Sequence, residues 1–177
     1  MSVRNFEDLA PVLGEGVFVD NTAVVIGDVH IGTDSSIWPM TVIRGDIHQI
    51  RIGERTSIQD GSVLHVTHDG PFKPGGFPCI VGNDVTVGHK VMLHGCTVHD
   101  RVLGGMGATV MDGAVIESDV IIGAGSLVPP GKTLQGGWLY VGSPVKPIRE
   151  LTDDEKNFFA YTAGKYCELK DRYLADR

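Results

Sequence analysis

Residues 81–128 read VGNDVTVGHKVMLHGCTVHDRVLGGMGATVMDGAVIESDVIIGAGSLV. Aliphatic side chains fall at Val81, Val87 and Leu93. After one five-residue step they resume at Val98, Val110, Ile116, Ile122 and Val128, with Gly104 in the one remaining place of the six-residue series. The same spacing runs upstream through Val19, Val25, Ile31, Ile37 and Ile43, and after a longer step through Ile52, Ile58 and Leu64. The fifth place of the hexads is small or β-branched, from Ala23 and Val29 to Val120 and Ser126. An α-helix would repeat its apolar residues three and four apart. Six-residue spacing punctuated by Gly, Asn and Asp describes short strands joined by tight turns, each delivering one aliphatic side chain inward. Stacked coils then bury a column that no single coil buries alone. The expected fold is an all-β solenoid, a parallel β-helix.

Composition narrows the function. A chain of 177 residues with 42% hydrophobic content can bury a core as one domain. A formal charge of -7, without clustered Lys and Arg, argues against nucleic acid or an anionic membrane surface as partner. Cys79, Cys96 and Cys167 are odd in number and lack a CxxC spacing, which points to free thiols in a reducing compartment. The N-terminal MSVRNFEDLAPVLGEG carries acidic residues and no apolar core of signal-peptide length, and no apolar run is long enough to span a bilayer. A cytoplasmic protein is expected.

Two regions follow. Residues 1–150 form the β-helix, with a Pro- and Gly-rich loop protruding at 66–79, and residues 129–150 should cross over the end of the solenoid. Residues 151–177 form a C-terminal amphipathic α-helix packed on the solenoid. Thr152 and Glu155 make its capping box, and the helix runs from Asp153 to about Leu174.

The six-residue pattern resembles that of hexapeptide-repeat families, which implies a left-handed form with three faces per coil. Three hexads per coil allow the faces to be matched across coils. Leu64 and Leu93 each close a coil, as do Ile43, Val110 and Val128, so the next residues, Arg44, His65, His94, Met111 and Pro129, share one edge. His65 and His94 then lie ~4.8 Å apart in adjacent coils. That spacing suits two imidazoles converging on an ion whose bonds to nitrogen are ~2.0 Å long. His89 sits on the preceding face, and five extended residues cover ~15 Å, so it is hard for it to reach the same ion within one chain. Three-sided prisms packed about a threefold axis would bring the His89 end of one face to the His65 and His94 edge of a neighbour. A homotrimer with metal sites shared between subunits is therefore expected. Three neutral imidazoles and an open position make a catalytic zinc arrangement, which lowers the pKa of bound water to ~7. Imidazole also accepts Fe2+ or Co2+. His30, His48, His68 and His99 read as solvent-facing or hydrogen-bonded side chains, with His68 close to the site in the 66–79 loop.

The runs VIRGD (42–46), SIQDGSVLH (57–65), VTVGHKVMLHGC (85–96), GMGATVMDGAVI (105–116), IGAGSLVPPGK (122–132) and LYVGSPVKPIREL (139–151) resemble the γ-class carbonic anhydrase family, in its YrdA-type bacterial branch. The resemblance covers nearly the whole chain. It implies a left-handed β-helix, and Zn2+ held by His65 and His94 with His89 supplied by the adjacent subunit. It also implies reversible hydration of CO2 to bicarbonate by hydroxide on the metal. It matches Arg44 and Asp46 to a pair at the subunit contact, with Asp60 as a partner for Arg44. Gln59 matches an amide that orients the nucleophile, and Tyr140 a residue lining the site, against simple packing under the C-terminal cap. Ile47 follows Asp46, and the 66–79 loop holds His68 and Asp69 but no glutamate. This departs from the family's acidic proton path and points to slow turnover. Two other classes stand beside this one. GSPVKPIR (142–149) resembles the segment with which hexapeptide acyltransferases finish their solenoid, which would suit an acyltransferase or a metal-dependent acyl-CoA thioesterase. The third is a noncatalytic metal-bearing trimeric binding protein.

Overall fold

A computed structural model describes residues 3–176. The chain winds as a left-handed parallel β-helix of about eight turns and ends in one α-helix. Its three faces follow the hexads. On the first, Val19, Ile37, Ile58, Val87, Gly104, Ile122 and Tyr140 stack inward in register. On the second, Val25, Ile43, Leu64, Leu93, Val110 and Val128 do so. The third carries Leu13, Ile31, Ile52, Val81, Val98, Ile116 and Leu134. Successive strand residues point to opposite sides, so each inward aliphatic is flanked by outward residues that become the molecular surface.

The corners explain the Gly, Asn and Asp between strands. Asp34, Arg55, Asp84, Arg101 and Asp119 lie one above another, each with φ between 52° and 61°. This left-handed backbone region costs most L residues about 1–2 kcal/mol. Two bidentate pairs tie the column together. Arg55 donates to both Asp84 oxygens at 2.7 and 2.9 Å, and Arg101 to both Asp119 oxygens at the same distances. Both are partly exposed, so each contributes only about 0.2–1 kcal/mol.

Three breaks in the six-residue spacing fall at the corner between the second and third faces, the shortest being the five-residue step from Leu93 to Val98. Strand Val42–Ile52 runs round it in one 11-residue piece that includes Arg44, Asp46 and Ile47. Between Val63–His65 and Cys79–Val81 the 66–79 loop leaves the coil. Its ends are pinned together: the Thr67 amide donates to the Phe77 carbonyl at 3.0 Å and Phe77 donates back at 2.8 Å.

Residues 129–150 differ from the sequence expectation. They do not cross the end at once; Thr133–Leu134 extends the third face and Trp138–Gly142 the first, with Leu134 and Tyr140 on the hexad register. Pro129, Pro130, Gly131, Gly136 and Gly137 occupy corners, where their conformations belong, so a composition that suggests a linker is that of one more coil. Only Val145–Glu150 turns back, antiparallel to Trp138–Gly142.

The helix spans Asp153–Ala175, with both hydrogen bonds of the Thr152–Glu155 capping box formed. It lies on the first face, where Tyr166 and Tyr173 meet Trp38 edge-on at 5.9 and 5.3 Å between ring centroids. Lys170 is fully buried and paired with Asp34 at 2.9 Å. Phe158, Tyr161 and Tyr173 stay substantially exposed. Among the described residues no helix is long and apolar enough to cross a membrane.

Candidate metal centre

Leu64 and Leu93 are buried in the core column, so the alternation of a strand turns His65 and His94 outward at its edge. The two are direct partners across adjacent coils. His65 Nδ1 faces His94 Nε2 at 3.1 Å. Two nitrogens bound to one tetrahedral zinc lie about 3.3 Å apart, so this pair is spaced as two ligands of a single ion.

Each ring is backed by a carboxylate. Asp46 Oδ1 lies 3.2 Å from His65 Nε2, and Asp112 Oδ1 lies 2.6 Å from His94 Nδ1. When both outer nitrogens donate to these carboxylates, both inner nitrogens present lone pairs to each other, an arrangement that needs a cation or a shared proton between them. Burial works against charge on Asp46, but hydrogen bonds from Arg44 and His65 outweigh it and hold the carboxyl below its ordinary pKa. Arg44 Nη1 donates to Asp46 Oδ2 at 2.6 Å. Asp112 behaves alike: burial raises it, while His94 and the Thr67 hydroxyl more than compensate. His65 is pushed the other way, chiefly by burial and further by the Arg44 charge, so its neutral, ligating form is favoured.

His89 occupies a different corner, where the first face passes into the second and Lys90 takes φ 58°. Its side chain is 47% exposed, and Nδ1 lies 3.0 Å from Asp60 Oδ2. Gln59 is buried nearby and donates through Nε2 to Tyr166 Oη at 2.7 Å. A groove of about 270 Å³ between this corner and the helix is walled by Gln59, His89, Met106, Phe158, Thr162 and Tyr166. Within the described residues of one chain no three His, Cys, Asp or Glu side chains converge as a metal site.

The nominated residues thus fall into two half-sites. His65, His94, Arg44 and Asp46 share one edge of the second face; His89, Gln59 and Asp60 share the other. In one chain Arg44 pairs with Asp46 and Asp60 with His89, so no Arg44–Asp60 contact forms there. Between the two edges the outward side chains are Val24, Val42, Val63, Met92, Thr109 and Leu127, an almost wholly apolar strip that no element of the chain buries completely. Tyr140 needs correction as a site residue. It stands in the inward column of the first face, 5% exposed, with its hydroxyl donating to the Gln135 carbonyl at 3.1 Å. It packs in the core because it continues the hexad begun at Ile122. His68 is exposed in the excursion loop.

Asp112, Thr67 and Tyr166 escaped the sequence reading. For Asp112 a signal existed: the second residue after each coil-closing aliphatic forms a row of its own, and Asp112 lies over Gly95, which leaves it room. Tyr166 carried none, since helix-to-sheet docking is set by tertiary packing.

The fold and the paired edges define a left-handed β-helix protein of the hexapeptide-repeat type. The model of the family "Bacterial transferase hexapeptide (six repeats)" matches residues 10–45. Protein YrdA of Escherichia coli is 57% identical over 97% of this chain and 94% of its own length. Gamma carbonic anhydrase 1, mitochondrial, of Arabidopsis thaliana is 41% identical over 99% of the chain, which spans 63% of that protein. A crystal structure from Bacillus cereus, described as a putative acetyltransferase, superposes with a TM-score of 0.91 at 37% identity and covers 99% of this chain and 98% of its own. The chain belongs to the γ-carbonic anhydrase-like hexapeptide-repeat family, in its YrdA-type branch.

Proposed function

We propose that this protein is a homotrimeric, zinc-dependent hydratase that interconverts CO2 and bicarbonate, with each site assembled from two subunits. The observation that carries the reading is the pair of facing imidazole nitrogens, 3.1 Å apart and each backed by a carboxylate. The apolar strip between the His65–His94 edge and the His89 edge supports threefold assembly, because burying it would bring the two kinds of edge together. His65, His94 and a neighbour's His89 would hold the zinc, which when bound would supply a nucleophile from water near neutral pH. Asp46 and Asp112 hold the two imidazoles in their ligating tautomers. Gln59, beside His89, offers its amide to orient the nucleophile and the incoming oxygen. Arg44 fixes Asp46, and Arg44 and Asp60 meet across the contact.

Relatives named gamma carbonic anhydrase and the histidine set favour this reaction, and the loop without glutamate favours slow proton release. Three free thiols, two of them buried, suit the reducing cytoplasm. Metal analysis with stopped-flow CO2 hydration, on wild type and His89→Ala loaded separately with Zn2+ and Fe2+, tests it. Hydration is expected in a metal-replete wild type and lost in His89→Ala; a wild type inactive with either metal sinks the hydratase reading. The groove of about 270 Å³ is far larger than CO2 requires and favours a second reading, a metal-dependent acyl-CoA thioesterase, which hydrolysis assays on the same samples would separate.

A further inference from the structure

The loop at 66–79 touches the centre through one short chain of contacts. Thr67 Oγ1 donates to Asp112 Oδ2 at 2.7 Å, and the other oxygen of the same carboxylate lies 2.6 Å from His94 Nδ1. Thr67 follows the buried Val66, which follows the other ligand, His65, so the loop begins where the metal pair ends. The far end is docked as well. Phe77 pairs with Thr67 through both backbone hydrogen bonds, and its ring rests on Gly113, where an added Cβ would come within 3.0 Å of it. A Cβ on Gly95 would similarly meet Asp112 Oδ1 at 2.7 Å and Phe77 at 2.8 Å. The corner is therefore cut to receive both a carboxylate and a phenyl ring.

We propose that Thr67 and Asp112 are positioning residues that join the excursion loop to His94, so that docking of the loop and binding of the metal strengthen one another. This rests on the metal reading above and goes beyond it. A carboxylate held at both oxygens has one orientation, and it imposes that orientation on the His94 ring. With the threonine hydroxyl gone, Asp112 can turn about its side-chain bonds and the imidazole loses its fixed aim. Linkage makes the effect reciprocal: if a docked loop raises metal affinity, the metal must raise the stability of the docked loop by the same factor.

The test uses the full-length protein and three variants, Thr67→Val, Thr67→Ser and Asp112→Asn. Zn2+ affinity is measured by chelator competition, site geometry by the visible spectrum of the Co2+ form, and loop docking by amide hydrogen exchange across 66–79 with and without Zn2+. Thr67→Val should lower Zn2+ affinity about tenfold and Asp112→Asn by about ten- to a hundredfold, with an altered Co2+ spectrum in both. Zn2+ should slow exchange in the loop of the wild type and not in Thr67→Val. Thr67→Ser, which keeps the hydroxyl, should restore affinity, spectrum and protection. Should Asp112→Asn fail to fold, the near-isosteric Thr67→Val decides. Variants that bind Zn2+ like the wild type, or a loop whose exchange ignores Zn2+ in a wild type that binds it, overturn the proposal. A wild type that binds neither ion removes the metal reading itself, and the reciprocal coupling with it.

Discussion

Gly104 stands between Val87 and Ile122 in a column that is otherwise aliphatic or aromatic, and the core beside it holds a cavity of about 10 Å³. A Cβ added there would meet its nearest neighbours, the Thr86 carbonyl and a Val91 methyl, at 3.9 and 4.0 Å, which is ordinary contact. Gly104→Ala should therefore stabilise the protein by about 0.4–1 kcal/mol, partly through the unfolded chain, with urea denaturation as the measure. A lower midpoint would mean that the neighbours are less tolerant than their spacing indicates. Tyr140 makes the complementary case. Because it is a core residue whose hydroxyl makes one hydrogen bond, to the Gln135 carbonyl, Tyr140→Phe should cost about 0.5–1.5 kcal/mol and leave the kcat/KM of hydration unchanged. A loss of activity at unchanged stability would return Tyr140 to the site. The stacking of His65 on His94, with His89 at the other edge, was legible from the register. Asp112 left a signal only in its row over Gly95, because its role comes from the coil above the one that carries its partner.

At the scale of elements, strands were easier to read than their ends. Each hexad announces its inward residue, but Pro129, Pro130 and Gly131 look alike whether they form a corner or a linker, and only Leu134 and Tyr140 on the register separate the two cases. The capping box was readable because its chemistry is local. Glu155 is held at about 2, foremost by the Arg149 guanidinium and then by the Thr152 backbone. A carboxylate held below its ordinary 4.5 contributes fully above that value and loses the contribution as pH falls towards about 2. The protection factors of the first-turn amides, measured against their intrinsic exchange rates, should therefore fall over that acid range. Thr152→Ala should show faster exchange already at neutral pH and cost about 0.5–2 kcal/mol. First-turn exchange unaffected by Thr152→Ala at neutral pH would show that docking on the first face, not the cap, holds the helix start. That the helix packs on the solenoid was legible, but not which face it takes: Trp38, Tyr166 and Tyr173 meet only after the coils have stacked.

For the whole molecule, the two edges of the second face matter most. One chain carries a two-imidazole half-site, a one-imidazole half-site and an apolar strip between them, and no chain completes a three-ligand centre among its described residues. On the proposed reading oligomerisation is a condition of the chemistry, as the register suggests from the distance between His89 and His94. Two defective chains should cure each other. With His65→Ala and His89→Ala chains mixed in one trimer, any cyclic order contains a junction where an intact His65–His94 edge meets an intact His89, giving about one complete site per mixed trimer. The decisive measurement is zinc content of purified mixed trimers carrying a different tag on each chain. About one tightly bound ion is expected per mixed trimer and none in either parent homotrimer; mixed trimers as empty as their parents would contradict a site shared between subunits.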